Sequence, residues 1–159
     1  MNIDYFMSEA IKEAKFAFDN HEVPVGGILV DNKTNLIIER SYNKINKEQN
    51  AIYHCEIDLI INACKKLSQK YLNDTIMFVT LEPCMMCASA ISEAHIKKLY
   101  FGAYDEKNGG IENNKSKFII NSFISYSLYN WVNFINLEFN EAKNKIESID
   151  SKLSWSLIL

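Results

Sequence analysis

The chain has 159 residues, 48% hydrophobic and 23% charged, the size and composition of one domain with a real core. No apolar run is long enough to cross a membrane, and the opening MNIDYFMSEA lacks the basic n-region and apolar core of a signal peptide, so a cytoplasmic protein is the expectation. The formal net charge of −3 gives no general attraction to nucleic acid, so an RNA ligand requires a local basic patch.

In chain order, residues 4–19 place Phe6, Met7, Ala10, Ile11, Ala14, Ala17 and Phe18 at helical spacing, with Asp4 near the start. PVGGILV (24–30) and LIIERSY (36–42) read as strands joined by the turn DNKTN. Residues 43–53 read as loop. From His54 to about Lys70, Ile57, Ile60, Ile61, Cys64 and Leu67 mark a second helix. TIMFVTL (75–81) is a buried strand. PCMMCASAISEA (83–94) is a third helix, with Pro83 at its first position. KKLYFGAY (97–104) is a strand again. Residues 117–137 mix aromatic and β-branched types, and 138–148 suggest a last helix. The order α-β-β-α-β-α-β predicts an α/β domain spanning 1–159, a mixed sheet of about five strands flanked by helices in three layers.

Arg40 is the only arginine among 17 basic residues, and asparagine and isoleucine are abundant. Stretches such as NGGIENNKSK therefore carry compositional bias as well as any function. The four cysteines, Cys55, Cys64, Cys84 and Cys87, belong to a compartment where thiols persist, and a close pair there serves metal or redox chemistry more often than a static bridge.

Cys84 and Cys87 stand three apart in the first turn of a helix, so they share one face. Free N–H groups at the helix start favour thiolate. A thioredoxin-like redox pair is the alternative, but PCMMC does not open a βαβ pattern early in the chain. His54 opens the second helix in YHCEI, two residues before Glu56. One imidazole and two thiolates make three protein ligands. Structural zinc wants a fourth, whereas a catalytic site leaves that position open. Cys55 adjoins His54 and points elsewhere; Cys64 lies about 15 Å further along a helix axis. A carboxylate beside the open position, Glu56, can move a proton, provided His54 sits where the chain is still turning into the helix. Structural zinc and unmetallated core thiols are the rival readings.

H-x-E at 54–56 with P-C-x-x-C at 83–87 resembles the zinc-dependent cytidine/deoxycytidylate deaminase superfamily. EVPVGGILV, VTLEPCMMCASAI and FGAYDEKNGG further resemble the bacterial tRNA adenosine deaminases, over roughly residues 4–112. The resemblance implies hydrolytic conversion of the wobble adenosine of an arginine tRNA anticodon loop to inosine. It implies one Zn²⁺ per chain on His54, Cys84 and Cys87, with Glu56 as proton shuttle. It also implies a homodimer that binds the tRNA anticodon stem-loop across both subunits, with no membrane or DNA partner. Asn43 resembles the asparagine that bonds the target base, and Asp105 the acidic residue near its ribose. Val23, with Pro24 and Val25, resembles the wall under the flipped base. The Cys55 N–H is placed to hold the departing group. Lys107, with Lys97, Lys98, Lys115 and Lys117, offers a phosphate-binding face or a solvated surface. Asn43 and Asp105 have plain turn roles as rivals. Three departures stand out: Cys55 replaces the usual alanine, Asp58 the usual apolar residue, and His95 a basic one. The family's C-terminal aromatics have only Phe134, Phe139 and Trp155 as candidates. A deaminase of a free base, nucleoside or nucleotide, of guanine or cytosine type, and a non-catalytic relative that binds RNA or a partner deaminase remain as alternatives.

Overall fold

The computed structural model describes residues 1–111 and the backbone of 123–125, within a unit spanning Met1–Ser127. Helix α1 (Ile3–Asp19) precedes the strands β1 (Gly26–Asp31) and β2 (Ile37–Tyr42). Then come α2 (Cys55–Leu67), β3 (Thr75–Leu81), α3 (Met85–Glu93), β4 (Lys98–Ala103) and the short β5 (Phe123–Ser125). They form one mixed five-stranded sheet in the order β2-β1-β3-β4-β5. β1 runs antiparallel to both β2 and β3, while β3, β4 and β5 are parallel. The three-layer α/β expectation holds. The last helix expected at 138–148, and Phe134, Phe139, Trp155, Lys115 and Lys117, lie outside the described residues.

Strand alternation explains the layers. On one face Ile28, Val30, Ile76, Phe78 and Tyr100 are buried together with the apolar stripe of α1, and Phe78 stacks on Tyr100 at 4.8 Å between centroids. On the other face Leu29, Met77, Val79, Leu99 and Phe101 pack with Cys55, Leu59 and Ala63 of α2 and Ala88 and Ile91 of α3. Strand β3, at the centre of the sheet with helices on both faces, is buried along its length up to Leu81.

Helix α1 reaches the sheet closely at Gly26. A Cβ there would overlap the backbone of Glu13 and Ala14. Gly26→Ala is expected to destabilise the fold by about 1–3 kcal/mol through this overpacking, seen as a lower midpoint in thermal unfolding.

Two helix boundaries differ from the sequence expectation in ways that bear on function. The third helix begins at Met85, not Pro83, because Cys84 keeps an extended backbone (φ −64°, ψ 170°) as its N-cap. The second ends at Leu67, because Ser68 turns left-handed (φ 52°) and its N–H closes on the Cys64 and Lys65 carbonyls.

Candidate metal centre and its surroundings

The starts of α2 and α3 meet at one edge of the sheet. His54 is the N-cap of α2 and Cys84 the N-cap of α3, both extended, and neither side chain caps its own helix. An N-cap usually turns its side chain back onto the first helical N–H groups. Here both turn toward each other, with His54 Nδ1 3.8 Å from Cys84 Sγ. One helical turn on, Cys87 completes the group: the donor atoms of His54, Cys84 and Cys87 lie within 4.8 Å of one another. Among the described residues no other cluster of this kind occurs.

The donor set fits zinc. A tetrahedral ion with bonds of about 2.0–2.3 Å separates its donors by about 3.6–3.8 Å, which the imidazole–sulfur distance matches. Cys55 and Cys64 stand apart from the group. Cys55 is fully buried in the core between α2 and the sheet, and Cys64 packs against the edge of that core.

The electrostatics favour a cation. The hydrogen bond from Cys87 draws the Cys84 thiol down to about 4, with His54 helping, against the opposing effect of burial. The same hydrogen bond between the two sulfurs, with burial, pushes the Cys87 thiol up. His54 is raised by its bond to Cys84 despite half-burial. The two sulfurs and the imidazole are thus coupled through shared protons. Cation binding must displace the remaining protons.

Glu56 is 3% exposed. Burial raises its carboxyl above the ordinary value, and the charges of His54 and Cys84 act on it from close range. The Cys55 thiol donates to Glu56 Oε2 at 3.4 Å, a contact that alanine at 55 could not make.

The other residues singled out in the sequence line this edge in different ways. Asn43 is 4% exposed, and its N–H donates to the Val25 carbonyl at 3.0 Å. Its Oδ1 accepts the Cys55 N–H at 3.0 Å. That bond redirects one expectation: the Cys55 N–H is engaged within the protein rather than offered to a departing group. It also assigns the Asn43 amide oxygen to Cys55, which leaves its NH₂ as the donor. Val23 is partly buried against the core, and its carbonyl accepts the Val25 N–H at 2.7 Å. Asp105 is half-buried, and its Oδ1 accepts the N–H groups of Lys107 (3.1 Å) and Asn108 (2.9 Å), a turn-capping role. Lys107 is exposed beside it.

Three further carboxylates have roles that the sequence alone does not assign. Glu22, 4% exposed, accepts the N–H groups of Asn46 and Lys47 at 3.1 and 2.7 Å, anchoring the loop after Asn43. Glu82 anchors the loop around Asp105 in the same manner. Asp58 accepts from Ser41 Oγ and Lys44 Nζ, both at 2.6 Å on Oδ2, and from Asn62 Nδ2 at 3.0 Å on Oδ1. Ser41 and Lys44 flank Tyr42 and Asn43, so one carboxylate ties the end of β2 to α2. A carboxylate embedded in an apolar pattern is the available signal in each case.

Burial pushes the Asp58 carboxyl up, but its bonds to Lys44, Ser41 and Asn62 outweigh that and hold it below the ordinary 3.8. Its stabilising contribution is therefore full above pH 3.8 and is lost as pH falls through the lower folded value. Asp58→Ala, which removes the acceptor of Ser41, Lys44 and Asn62, is expected to cost about 1–3 kcal/mol at pH 7. The deficit relative to wild type should shrink below pH 4 in urea titrations.

Comparison with known proteins gives concordant results. Residues 1–103 match the model of the cytidine and deoxycytidylate deaminase zinc-binding region. The chain is 48% identical over 108 residues to a tRNA-specific adenosine deaminase of Rickettsia bellii, covering 68% of this chain and 74% of that protein. It is 45% identical over 106 residues to one of Bacillus subtilis, covering 67% and 65%. A solved structure from studies of A-to-I editing by tRNA:A34 deaminases at the wobble position of transfer RNA superposes with a TM-score of 0.70 at 37% identity, covering 77% of this chain and 91% of that one.

Proposed function

The chain belongs to the cytidine and deoxycytidylate deaminase family, among its tRNA-specific adenosine deaminases, and we propose that it converts the wobble adenosine of an arginine tRNA anticodon loop to inosine, using one Zn²⁺ per chain. The observation that carries the chemistry is the His54–Cys84–Cys87 donor group with a buried carboxyl, Glu56, beside it. The relatives' shared activity supports the substrate.

His54 Nδ1, Cys84 Sγ and Cys87 Sγ would hold the ion. Zinc in such a three-ligand site supplies Lewis acidity that makes water a nucleophile near neutral pH. Glu56 takes a proton from the attacking water and delivers it to the purine ring as the oxygen adds at C6. Glu56 then carries the hydroxyl proton of the adduct to N6, the C6–N6 bond breaks, ammonia leaves, and the C6 carbonyl of inosine remains. Burial suits Glu56 to this exchange, because it raises the carboxyl above its ordinary value and so helps it hold a proton before passing it on. Asn43 presents its amide NH₂ to an acceptor on the base, its oxygen being held by Cys55. Val23 forms part of the wall, Asp105 faces the ribose, and Lys107 meets phosphate. Flipping the base out costs about a few kcal/mol and least from a single-stranded loop, which suits an anticodon.

On the same family grounds we propose a homodimer; a single deaminase domain over 1–159 and a cytoplasmic setting are proposed from the chain's size and composition. Among the described residues no helix is long and apolar enough to cross a membrane.

The substrate is tested by offering purified protein an anticodon stem-loop, free adenosine, cytidine and guanine, with ammonia and inosine as readouts. Inosine in the stem-loop is the expected result. Turnover of a free base beside an inert stem-loop would replace the substrate assignment.

A further inference from the structure

Cys55 is the first residue of α2 and is fully buried. Its backbone and its side chain are held separately. The N–H, which has no partner within the helix at that position, donates to Asn43 Oδ1 at 3.0 Å. The sulfur lies over the bare backbone of β1 at Gly27, where an added Cβ would come 3.5 Å from Sγ and 3.0 Å from Leu59 Cδ1. Leu29, Leu59 and Val79 belong to the same core cluster. Close packing of this kind holds a side chain in one rotamer. A thiol so held has one S–H to give, and it goes to Glu56 Oε2 at 3.4 Å.

Glu56, 3% exposed, needs that donor, because a carboxylate buried this deeply requires hydrogen bonds. Its own N–H supplies one. A bond within a single residue moves with that residue and fixes the carboxylate against nothing else. The Cys55 thiol is anchored in the core, so its bond ties the carboxylate to the body of the fold. We propose that Cys55 is a positioning residue for the proton shuttle: its thiol, locked between α2 and β1, fixes the Glu56 carboxylate beside the His54–Cys84–Cys87 group. This rests on the deaminase reading and holds whichever base is the substrate. Alanine at 55 leaves the carboxylate free to swing between rotamers. Serine keeps a donor in the same place.

The test compares zinc-loaded wild type, C55A, C55S, E56Q and C55A/E56Q on the stem-loop, with kcat, KM, zinc per chain and thermal midpoint recorded for each. C55A should keep its zinc and its KM and lose about tenfold in kcat, the worth of one hydrogen bond to a charged group. C55S should recover most of that kcat. C55A/E56Q should be no slower than E56Q, since residues that act through one another do not add. A second readout needs no substrate and decides the matter if C55A is insoluble. With Cys84 and Cys87 on the metal, Cys55 and Cys64 are the remaining thiols of the four cysteines. The infrared S–H stretch of zinc-loaded C64A therefore reports Cys55 alone. It should rise in frequency in C64A/E56Q, where an amide replaces the carboxylate as a weaker acceptor. An unchanged kcat in C55A, a C55S no faster than C55A, losses that add, or an S–H band indifferent to E56Q would overturn the proposal and leave Cys55 a packing role alone. Loss of zinc in C55A would overturn it as well, making the residue a support for the metal site. A wild type inert on the stem-loop but active on a free base removes the tRNA reading alone, and the same variants then decide the proposal on that base. A wild type inert on every substrate would overturn both.

Discussion

Glu56→Gln should lower turnover of the stem-loop by about 10²–10⁴-fold, the range that a positioned acid–base group contributes. Glutamine matches the size of the side chain and its hydrogen-bonding reach, but it cannot take a proton from water and return it. Because burial already disfavours the charged carboxylate, a neutral amide asks little of the fold. Zinc content and stem-loop affinity should stay near those of wild type, so the loss falls on kcat. Single-turnover kinetics with inosine readout check this. Full activity in Glu56→Gln would remove the shuttle assignment, and loss of zinc together with activity would make Glu56 a support for the metal rather than a carrier of protons.

Cys87→Ala is expected to abolish metal retention and activity together. A four-ligand zinc site is worth about 10–16 kcal/mol of apparent binding energy, so one of three protein donors carries on the order of 3 kcal/mol, roughly a hundredfold in affinity or more. Zinc per chain, measured after dialysis, should fall from about one to near zero. Cys64→Ala, at the edge of the core and away from the donor group, should keep both zinc and turnover. Loading metal-free wild type in weak buffer should also release protons, because Cys87 holds its thiol proton through the bond to Cys84. A Cys87→Ala protein that keeps zinc at full stoichiometry would show that the site has a different ligand set.

The donor group is legible in the sequence because the C-x-x-C spacing sets Cys84, at the start of the helix, beside Cys87 in its first turn, and because H-x-E and P-C-x-x-C each mark the start of a helix. The α-β-β-α-β-α-β order likewise announces the layers. What local pattern does not reveal is how the starts are built. Pro83 reads as the first helical residue, yet Cys84 stays extended so that its sulfur can face His54. The supporting carboxylates are hidden for a different reason. Glu82 meets Ile111 across 29 positions, Glu22 meets Asn46 across 24, and Asp58 meets Ser41 across 17. Those partners become neighbours only once the sheet is ordered β2-β1-β3-β4-β5, an arrangement that no periodicity within a single element encodes. The engagement of the Cys55 N–H is hidden on the same account, since its acceptor, Asn43, arrives from the end of β2.

The central claim is that an imidazole and two sulfurs from two helix starts hold one zinc ion and leave room for chemistry. X-ray absorption at the zinc edge of the loaded protein tests it most directly. The account predicts two sulfur neighbours and one imidazole, with the sulfur count falling to one in Cys87→Ala reloaded with excess zinc. A spectrum with three or four sulfurs in the wild type would place Cys55 or Cys64 on the metal, close the site as a structural one, and contradict the account.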